Sequence, residues 1–457
     1  MSAPALSYAD ALAAIERRGR YGIRLGLGRT RALLRELGDP QDALRGALVA
    51  GTNGKGSVIA LAGSALRAAG LRVGETPKPH LVTYRERIVV DGRPIAADAF
   101  AALVEELLPV AGRVARRLGP PTEFELLTAV MLLHFSRVRL DVALVEVGLG
   151  GRLDATNAWD GGVAVLTNVG LDHMDRLGPT VGAIAREKVQ IVKRGDLAVT
   201  GATGDGLAIM RRRCRRLGVP LAVREPAPLL GWTRDTIRVA LPGLGEVEVG
   251  LRGRHQAANV AVADGLLDAL EAAGIARVPP DARRRGFAAA RWAGRLELIE
   301  VPGSSGPRQV LLDGAHNADG AAALVQALDD LRPHLAGGGG RTPAPLTIVW
   351  ATMADKDVEA LVEVLAASPV LEGATLVCTA VDLPRALEPT TLAAAFRAGI
   401  AGRRRVRIRT APTPEAALDV ALEDPEGPVV VAGSLYLVGA VRARLVDDSD
   451  LRDPVAR

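Results

Sequence analysis

The sequence predicts an α/β protein of two units, each built on a parallel-rich sheet with helices on its faces. Two observations support this fold class. Short apolar runs rich in valine alternate with amphipathic stretches, as expected for βα units around a buried parallel sheet. The chain of 457 residues is also too long for one ordinary hydrophobic core, so we expect more than one domain.

The first series of elements occupies the N-terminal part of the chain. The segment GALVAG predicts a buried strand, and SVIALAGSALRAAG directly after it has the pattern of a helix. A long amphipathic helix is predicted in ADAFAALVEELLPVAGRVARRLG. Two more buried strands are predicted in DVALVEVG and GVAVLTNVG, which completes the core of a first parallel sheet.

A second series begins at QVLLDGAHNADGAAALVQALDDL and continues through LTIVWAT, ATLVCTAV and PVVVAGS. The stretch VPGSSGPRQ concentrates turn-forming residues between the two series. We therefore predict an N-terminal and central domain over residues 1–301, a linker over residues 302–309, and a smaller C-terminal domain over residues 310–457.

Composition argues against several classes of protein. A net charge of +5 with only 3% aromatic residues lacks the basic groove and stacking residues of single-stranded nucleic-acid binding. The sequence contains no run of about 18 apolar residues, which argues against a membrane span. The N-terminal stretch has no apolar segment of signal-peptide type. Cys214 and Cys378 are far apart, which argues against a disulfide framework or a structural zinc site. We expect a cytoplasmic monomer without nucleic-acid or membrane partners.

The strongest local signal is AGTNGKGS, Ala50 to Ser57, which follows a predicted strand and opens a helix. In that context backbone N–H groups and the helix N-terminus face a phosphate, Lys55 reaches the β- and γ-phosphates, and Ser57 can bind Mg²⁺. The match to GxxxxGK[ST] is imperfect, because Val49 stands at the first glycine position and Gly56 separates Lys55 from Ser57. The alternative is a glycine-rich turn with an unrelated lysine.

Two other predicted strand ends carry groups suited to a metal. Glu146 ends one apolar strand and is followed by a glycine loop with Asp154, while Asp172 and His173 follow another strand. Ligands of doubly wound sheets bind at the carboxyl ends of strands, so Lys55, Glu146 and His173 should converge there around a nucleotide-bound Mg²⁺. Alternatively, Glu146 caps a turn and His173 is an ordinary loop residue.

Ten motifs that occur in order, over roughly residues 20–440, make the sequence resemble the folylpolyglutamate synthase/dihydrofolate synthase family of the Mur ligase superfamily. The motifs are GTNGKGS, PHLVTYRERI, EFELLTA, LVEVGLGGRLDATN, GLDHMDRLGPTVGAIAREK, GRHQAAN, WAGRLE, LDGAHN, DKD and AGSLYLVG.

The resemblance implies a Mur-ligase-like P-loop ATPase domain and a smaller, Rossmann-like C-terminal domain. It also implies an ATP-dependent ligase that converts a carboxylate to an acyl phosphate and joins it to L-glutamate, with dihydropteroate, a (tetrahydro)folate or both as acceptors. Two alternatives remain open. One is another Mur-type ligase that acts on a muramyl peptide, and the other is a nucleotide-binding protein that has lost ligation.

Matching the motifs residue by residue implies four sets of site residues. The ATP contacts would be Asn53, Gly54, Lys55, Gly56, Ser57, Asn259, Arg295 and Asp313. The ligands of two Mg²⁺ ions would be Ser57, Glu146, His173 and a carbamylated Lys188. The substrate contacts would be Thr122, Glu123, Phe124, Glu125, Asp154 and Ser434. The catalytic residues would be Lys55, Lys188 and His316. Lys78 is a fourth catalytic candidate, which does not come from a motif match but from the hypothesis given below.

Lysine is scarce, since Lys55, Lys78, Lys188, Lys193 and Lys356 are the only lysines among 57 basic residues. A generic surface charge in this chain is an arginine, so each lysine is a candidate for a role that needs a compact ammonium.

Lys78 departs from the family, whose familiar Ser-Pro-His-Leu loop uses its serine to help bind Mg²⁺. An ammonium cannot ligate a cation. We hypothesise that Lys78 gives positive charge to the γ-phosphate or acyl phosphate; the alternative is a solvent-facing lysine.

Glu123 is a second departure from the family, because an aromatic or apolar residue usually stands at its position. Its carboxylate beside the expected pterin pocket either alters specificity or points to solvent, and the sequence does not separate the two.

Overall fold

A computed structural model describes residues 6–19, 24–302, 307–335, 344–423 and 427–447, which form three sheets and the helices around them. The α-helices in these ranges are Tyr8–Glu16 (α1), Gly28–Glu36 (α2), Lys55–Ala68 (α3), Ala97–Leu118 (α4), Glu123–Val138 (α5), Met174–Leu177 (α6), Val181–Lys188 (α7), Gly204–Leu217 (α8), Gln256–Ala272 (α9), Pro280–Ala289 (α10), Ala318–Leu331 (α11), Val358–Ala367 (α12), Pro389–Ile400 (α13), Pro414–Glu423 (α14) and Leu435–Leu445 (α15).

The strands in these ranges are Gly46–Ala50 (β1), Val73–Thr76 (β2), Val89–Val90 (β3), Arg93–Pro94 (β4), Val142–Glu146 (β5), Gly162–Leu166 (β6), Leu197–Thr200 (β7), Leu221–Val223 (β8), Leu229–Trp232 (β9), Ile237–Leu241 (β10), Gly245–Val249 (β11), Glu297–Val301 (β12), Arg308–Leu312 (β13), Thr347–Trp350 (β14), Thr375–Cys378 (β15), Arg407–Thr410 (β16) and Val429–Ala432 (β17).

The first sheet has the strand order β4-β3-β2-β5-β1-β6-β7-β8 and is parallel from β2 to β8. Strand β1 lies between β5 and β6, with Val49 paired to Glu146 and Ala50 paired to Leu166. All five residues of β1 and β5 are buried, which explains why both read as continuous apolar runs in the sequence. The loops after β1, β5 and β6 consequently meet at one edge of the sheet.

Helices cover both faces of this sheet. One hydrophobic cluster joins α4 and α5 to one face, and a second joins α3, α9 and α10 to the other. The crossing of α10 over α3 is very close, because a Cβ on Gly286 would lie 2.3 Å from the Cα of Ala65. The absence of a side chain at Gly286 is therefore a packing requirement.

Replacing Gly286 with valine should destabilise the protein. The new side chain would separate α10 from α3, and overpacking of this kind costs about 1–3 kcal/mol. We expect the thermal unfolding midpoint, followed by circular dichroism, to fall by several degrees. Gly112→Ala is the matched control, because Gly112 is also helical and its Cβ would meet nothing within 4 Å. An equal shift in both variants would contradict the packing role of Gly286.

The second sheet is antiparallel, with the order β11-β10-β9, and packs on the cluster that contains α9 and α10. This sheet was not predicted from the sequence. β10 and β11 alternate buried with more exposed residues, and β9 has no buried residue, so the three strands lack the continuous apolar runs of the parallel strands.

The third sheet forms the C-terminal unit, with the order β12-β13-β17-β14-β15-β16. Its strands are parallel except β12, which pairs with β13 in antiparallel fashion from Glu297↔Leu312 to Val301↔Arg308. β12 lies within the predicted first domain and β13 begins at Arg308, within the predicted linker, so the third sheet spans the predicted boundary. Residues 303–306 of that predicted linker lie outside the described residues.

The predicted fold class is confirmed, since both large sheets are parallel-rich and covered by helices. None of the helices in the described ranges is long and apolar enough to cross a membrane. Cys214 and Cys378 are both buried free thiols.

Candidate active site

The predicted phosphate loop connects β1 to α3 through residues 51–54. Gly54 precedes the helix in the left-handed region, at a φ of 80°, which favours glycine. The loop is held by the segment after β6: the backbone N–H of Asn53 donates to Oδ1 of Asn168 at 2.9 Å, and the Thr167 hydroxyl donates to the Asn53 carbonyl at 2.6 Å. This framework leaves the N-terminus of α3 at the edge where the strands end.

Two predicted catalytic lysines meet at one carbonyl of this loop. Nζ of Lys55 donates to the Gly51 carbonyl at 3.1 Å and to the Thr52 carbonyl at 3.0 Å. Nζ of Lys188 donates to the same Gly51 carbonyl at 2.9 Å, and Lys188 is only 6% exposed. Burial, followed by the charge of Lys55, lowers the pKa of Lys188 to about 7. The chain thus holds two amines against its phosphate loop.

Glu146 lies at the end of β5 beside these amines, and burial raises the pKa of its carboxyl group against the opposing charges of Lys55 and Lys78. Its Oε1 is 3.9 Å from Nζ of Lys55, and its Oε2 accepts the backbone N–H of Lys78 at 3.1 Å. A buried carboxylate whose ionic contact with Lys55 is as long as 3.9 Å suits a further cation. Ser57 lies on the first turn of α3, where its hydroxyl accepts a hydrogen bond from Nε2 of Gln256 at 3.4 Å.

His173 stands apart from this cluster. Its side chain is 51% exposed, and its Nε2 lies 3.7 Å from the carboxylate of Asp172, the neighbouring residue. Among the described residues, no group of three or more His, Cys, Asp or Glu side chains is arranged to hold a metal ion.

Lys78 faces the protein interior, so the alternative of a solvent-facing lysine is wrong. Its Nζ donates to the Glu146 carbonyl at 2.5 Å and lies 4.5 Å from the centroid of the Phe124 ring. Burial lowers the pKa of Lys78 to about 8, against the opposing effects of Asp154 and Glu146. The ammonium is thus held between the end of β5 and the start of α5.

The backbone of the loop that carries Lys78 is held in place by Glu86 and by contacts of Leu81. The carboxylate of Glu86 accepts the backbone N–H groups of residues 81–83 at 2.8–3.0 Å. Leu81 also reaches the C-terminal unit, since a Cβ on Gly439 would lie 2.0 Å from the Leu81 carbonyl oxygen and one on Gly294 would lie 3.0 Å from Leu81 Cδ1. This loop therefore connects the end of β2 with α15 and with the segment that precedes β12.

Beside Lys78 lies a cavity of about 360 Å³. All predicted substrate residues except Ser434 line it, namely Thr122, Glu123, Phe124, Glu125 and Asp154, together with Gly19, residues 24–26, Gly148, Leu149, Leu153 and Ala155. Thr122 and Glu125 form the capping box of α5, and Glu125 also accepts from Nε of Arg29 at 3.0 Å. Their polar groups are therefore engaged in holding the cavity wall, while Phe124 gives it an aromatic face.

Glu123 lines the cavity and does not point freely to solvent. Its carboxylate is 3.9 Å from Nη1 of Arg87, and its side chain is 23% exposed. Burial, followed by the negative charge of Glu123, raises the pKa of the Tyr84 hydroxyl. Glu123 thus belongs to a polar network at the cavity, a position from which it can affect a bound ligand.

The predicted nucleotide residues outside the loop fall into two places. Asn259, on the first turn of α9, lies against the loop, because a Cβ on Gly54 would be 2.3 Å from its Oδ1. Asp313 follows β13, and its carboxylate accepts the backbone N–H groups of Leu296 and Ala315, both at 2.9 Å. Arg295 packs near Asp313, with its guanidinium against Gly314.

His316 and Ser434 belong to the C-terminal unit. Nδ1 of His316 is 2.7 Å from the Gly314 carbonyl, and burial lowers the pKa of its imidazole; Arg295 and Lys356 lower it further. The negative charge of Asp172, in the first unit, opposes this lowering of the His316 pKa. Ser434 is 3% exposed and caps α15 by accepting the Tyr436 N–H, which gives it a structural role in this structure.

Two neighbours of the site were missed from the sequence. Gln256 is 1% exposed; its Nε2 donates to Ser57, and its Oε1 accepts from Asn259 at 2.8 Å. Trp292 packs on the phosphate loop, since a Cβ on Gly56 would lie 2.5 Å from its indole ring. Both residues lie within quoted motifs, GRHQAAN and WAGRLE, but only their three-dimensional contacts reveal these roles.

Comparison with known proteins adds to this geometry. Residues 297–445 match a family model described as the C-terminal domain of dihydrofolate synthetase. The chain is 36% identical over 333 residues to the dihydrofolate synthase/folylpolyglutamate synthase of Bacillus subtilis, which covers 70% of this chain and 76% of that relative.

Two further similarities extend over almost the whole chain. A probable bifunctional folylpolyglutamate synthase/dihydropteroate synthase of Halobacterium salinarum is 36% identical over 435 residues; the match covers 93% of this chain but only 50% of that relative. The solved structure of Mycobacterium tuberculosis folylpolyglutamate synthase with ADP and AMPPCP superposes with a TM-score of 0.83 at 32% identity, covering 97% of this chain and 100% of that one.

Proposed function

Since the chain belongs to the folylpolyglutamate synthase/dihydrofolate synthase family, we propose that it is an ATP-dependent ligase that adds L-glutamate to dihydropteroate, to a reduced folate, or to both. One observation carries the proposal most directly. A phosphate loop with two lysines and a buried carboxylate lies next to a cavity with an aromatic wall, so a nucleotide and an acceptor can bind side by side.

The reaction proceeds in two balanced steps. A carboxylate oxygen of the acceptor forms a bond to the terminal phosphorus of ATP, while the bond from that phosphorus to the bridging oxygen breaks and its electron pair leaves with ADP. The amine of L-glutamate then forms the amide bond at the acyl carbon, phosphate departs with the electron pair of the C–O bond, and the nitrogen loses a proton. Phosphorylation is needed because a carboxylate oxygen is otherwise a poor leaving group.

On the nucleotide side, the proposal assigns the ATP phosphates to residues 53–57 at the N-terminus of α3. When ATP binds, the Lys55 ammonium would donate to phosphate oxygens instead of to the Gly51 and Thr52 carbonyls. A charged phosphate oxygen makes the stronger hydrogen bond to an ammonium. Asn259, which packs on Gly54, would support the loop from α9. Arg295 and Asp313 would reach the nucleotide from the segments at the start of the third sheet.

Two Mg²⁺ ions form part of the proposal. Glu146 and Ser57 would hold one of them, because a nucleotide-bound Mg²⁺ needs only one or two protein ligands. A carbamylated Lys188 would help to hold the second, and the lowered pKa of its amine supports this, since only the neutral amine reacts with CO₂. His173 would have to turn inward to contribute. Bound Mg²⁺ would neutralise charge on the phosphates.

The cavity lined by Phe124 and Asp154 is assigned to the fused ring of the acceptor. An aromatic wall suits stacking on a flat heterocycle. The proposal assigns His316, across the cleft, to the L-glutamate side, because its neutral imidazole can accept the proton that the attacking amine releases. Ser434 would support this side through its position at the start of α15.

Phosphate release is the test of the proposed function. We expect the protein to release phosphate from ATP only when both L-glutamate and a folate-type acceptor are present, and to form an equal amount of glutamylated product. Comparing 7,8-dihydropteroate with tetrahydrofolate as acceptors separates single from dual activity. D-Glutamate in place of L-glutamate is the control.

The same assay distinguishes the alternatives. Turnover with a nucleotide-linked muramyl peptide, and none with folates, would identify another Mur-type ligase. ATP binding without dependence of phosphate release on either substrate would identify a nucleotide-binding protein that has lost ligation.

The proposal also includes a cytoplasmic location, which the two buried free thiols support because free thiols suit a reducing compartment. It further includes a monomeric state, which light scattering during size-exclusion chromatography tests.

A further inference from the structure

Lys78 lies between Phe124, which lines the cavity, and Glu146, which lies beside the phosphate loop. On the cavity side, its Nζ lies 4.5 Å from the centroid of Phe124, whose ring forms part of the cavity wall. On the other side, it donates to the carbonyl of Glu146, whose carboxylate is 3.9 Å from Nζ of Lys55. The two lysines therefore flank one residue, with Lys78 towards the cavity and Lys55 towards the phosphate loop.

The ammonium of Lys78 has hydrogen-bonding capacity to spare. It carries three N–H donors, and among the described residues only the Glu146 carbonyl accepts from it. The nearby carboxylate of Asp154 is already engaged, because it accepts from the backbone N–H and hydroxyl of Thr156 and from the backbone N–H of Leu149. Two N–H donors thus remain for a ligand, and an anionic oxygen is a group that can accept them.

We propose that Lys78 binds the reacting carboxylate of the acceptor and holds it next to the phosphate loop. The inference rests on the proposed function and assigns Lys78 to the acceptor rather than to the nucleotide. If the ring of the acceptor occupies the cavity beside Phe124 and its carboxylate is directed towards Lys55, Lys78 is a cation between the two.

The chemistry of the first step needs a cation at this point. Carboxylate and terminal phosphate are both anionic, so they repel each other as they approach bonding distance. An ammonium in contact with the carboxylate offsets this repulsion while leaving one oxygen free to attack phosphorus. The Phe124 face stabilises the ammonium between turnovers, as cation–π contacts do in partly desolvated sites.

Binding without turnover tests the assignment. Affinities of wild type and Lys78→Met would be measured by calorimetry, without ATP, for 7,8-dihydropteroate and for its analogue with a carboxamide in place of the carboxylate. We expect Lys78→Met to weaken binding of the carboxylate form by about 10- to 100-fold, as for a lost hydrogen bond to a charged group. Binding of the carboxamide, and of AMPPCP in a separate titration, should change less than about 3-fold.

Lys193→Met is the matched control. Lys193 is likewise partly buried and donates to a backbone carbonyl, that of Trp159, at 2.6 Å, but it lies at the amino ends of the strands. It should leave all three affinities unchanged. Three results for Lys78→Met would overturn the inference: equal weakening of both acceptor forms, weakening of AMPPCP alone, or no change. A wild-type protein that neither binds nor glutamylates any folate acceptor would instead overturn the proposed function.

Discussion

Replacing Lys55 with methionine should reduce kcat for phosphate release by about 10²- to 10³-fold, the usual effect of removing one preorganised charge from a transition state. Lys55 is the first residue of α3, and its ammonium donates to the Gly51 and Thr52 carbonyls of the proposed phosphate loop. On the proposed function, its loss would remove a cation next to the transferring phosphoryl group. Steady-state kinetics with saturating L-glutamate and acceptor measure the effect.

Lys55→Arg is the informative companion variant. A guanidinium retains the charge but is planar and larger, and it cannot replace an ammonium that fits between two carbonyls of a tight loop. We expect little recovery of activity. Binding of AMPPCP should weaken in both variants, while the thermal unfolding midpoint should stay close to that of wild type. A Lys55→Met enzyme with more than about a tenth of wild-type kcat would contradict the assigned role.

Replacing Lys188 with alanine should have an effect of similar size, about 10²-fold or more, if its amine is carbamylated in the active enzyme. The variant removes both the carbamate and the hydrogen bond to Gly51. Short carboxylic acids such as acetate should restore part of the activity, because they supply the missing carboxylate to the space left by the side chain. Lys188→Arg should not respond, since it fills the space with a positive charge.

A spectroscopic measurement separates the carbamate from a purely structural lysine. Wild-type protein incubated with ¹³C-bicarbonate should give a carbamate carbonyl signal in the ¹³C NMR spectrum, and Lys188→Ala should lack it. Loss of activity in Lys188→Ala without rescue by carboxylic acids, together with no carbamate signal in wild type, would show that Lys188 acts as the amine that holds Gly51.

The parallel strands were predictable because a strand buried on both faces consists of consecutive apolar residues. β1, β5 and β6 appear as short runs of valine, leucine and alanine, and the turn after β1 carries its lysine at the start of a helix. The motif resemblance then identified residues that converge in space, such as Lys55, Glu146 and Lys188.

Other features depend on contacts that no local pattern encodes. Turn-forming residues between two strands look the same whether they link two domains or close a hairpin, so the pairing of β12 with β13 was missed. The direction of Lys78 depends on Glu146 and Phe124, which are distant in the sequence. His173 follows a strand, as expected for a ligand, but its side chain turns towards solvent.

The backbone of residues 78–83 is anchored by contacts that would allow the side chain at position 78 to differ among related enzymes. Glu86 and the contacts of Leu81 hold the backbone, and neither uses the side chain at position 78. A serine can therefore be exchanged for a lysine there without loss of the scaffold. On the proposed function, the exchange replaces a hydroxyl with an ammonium, so a change in a single codon would shift charge neutralisation at the reaction centre from a bound ion to the polypeptide.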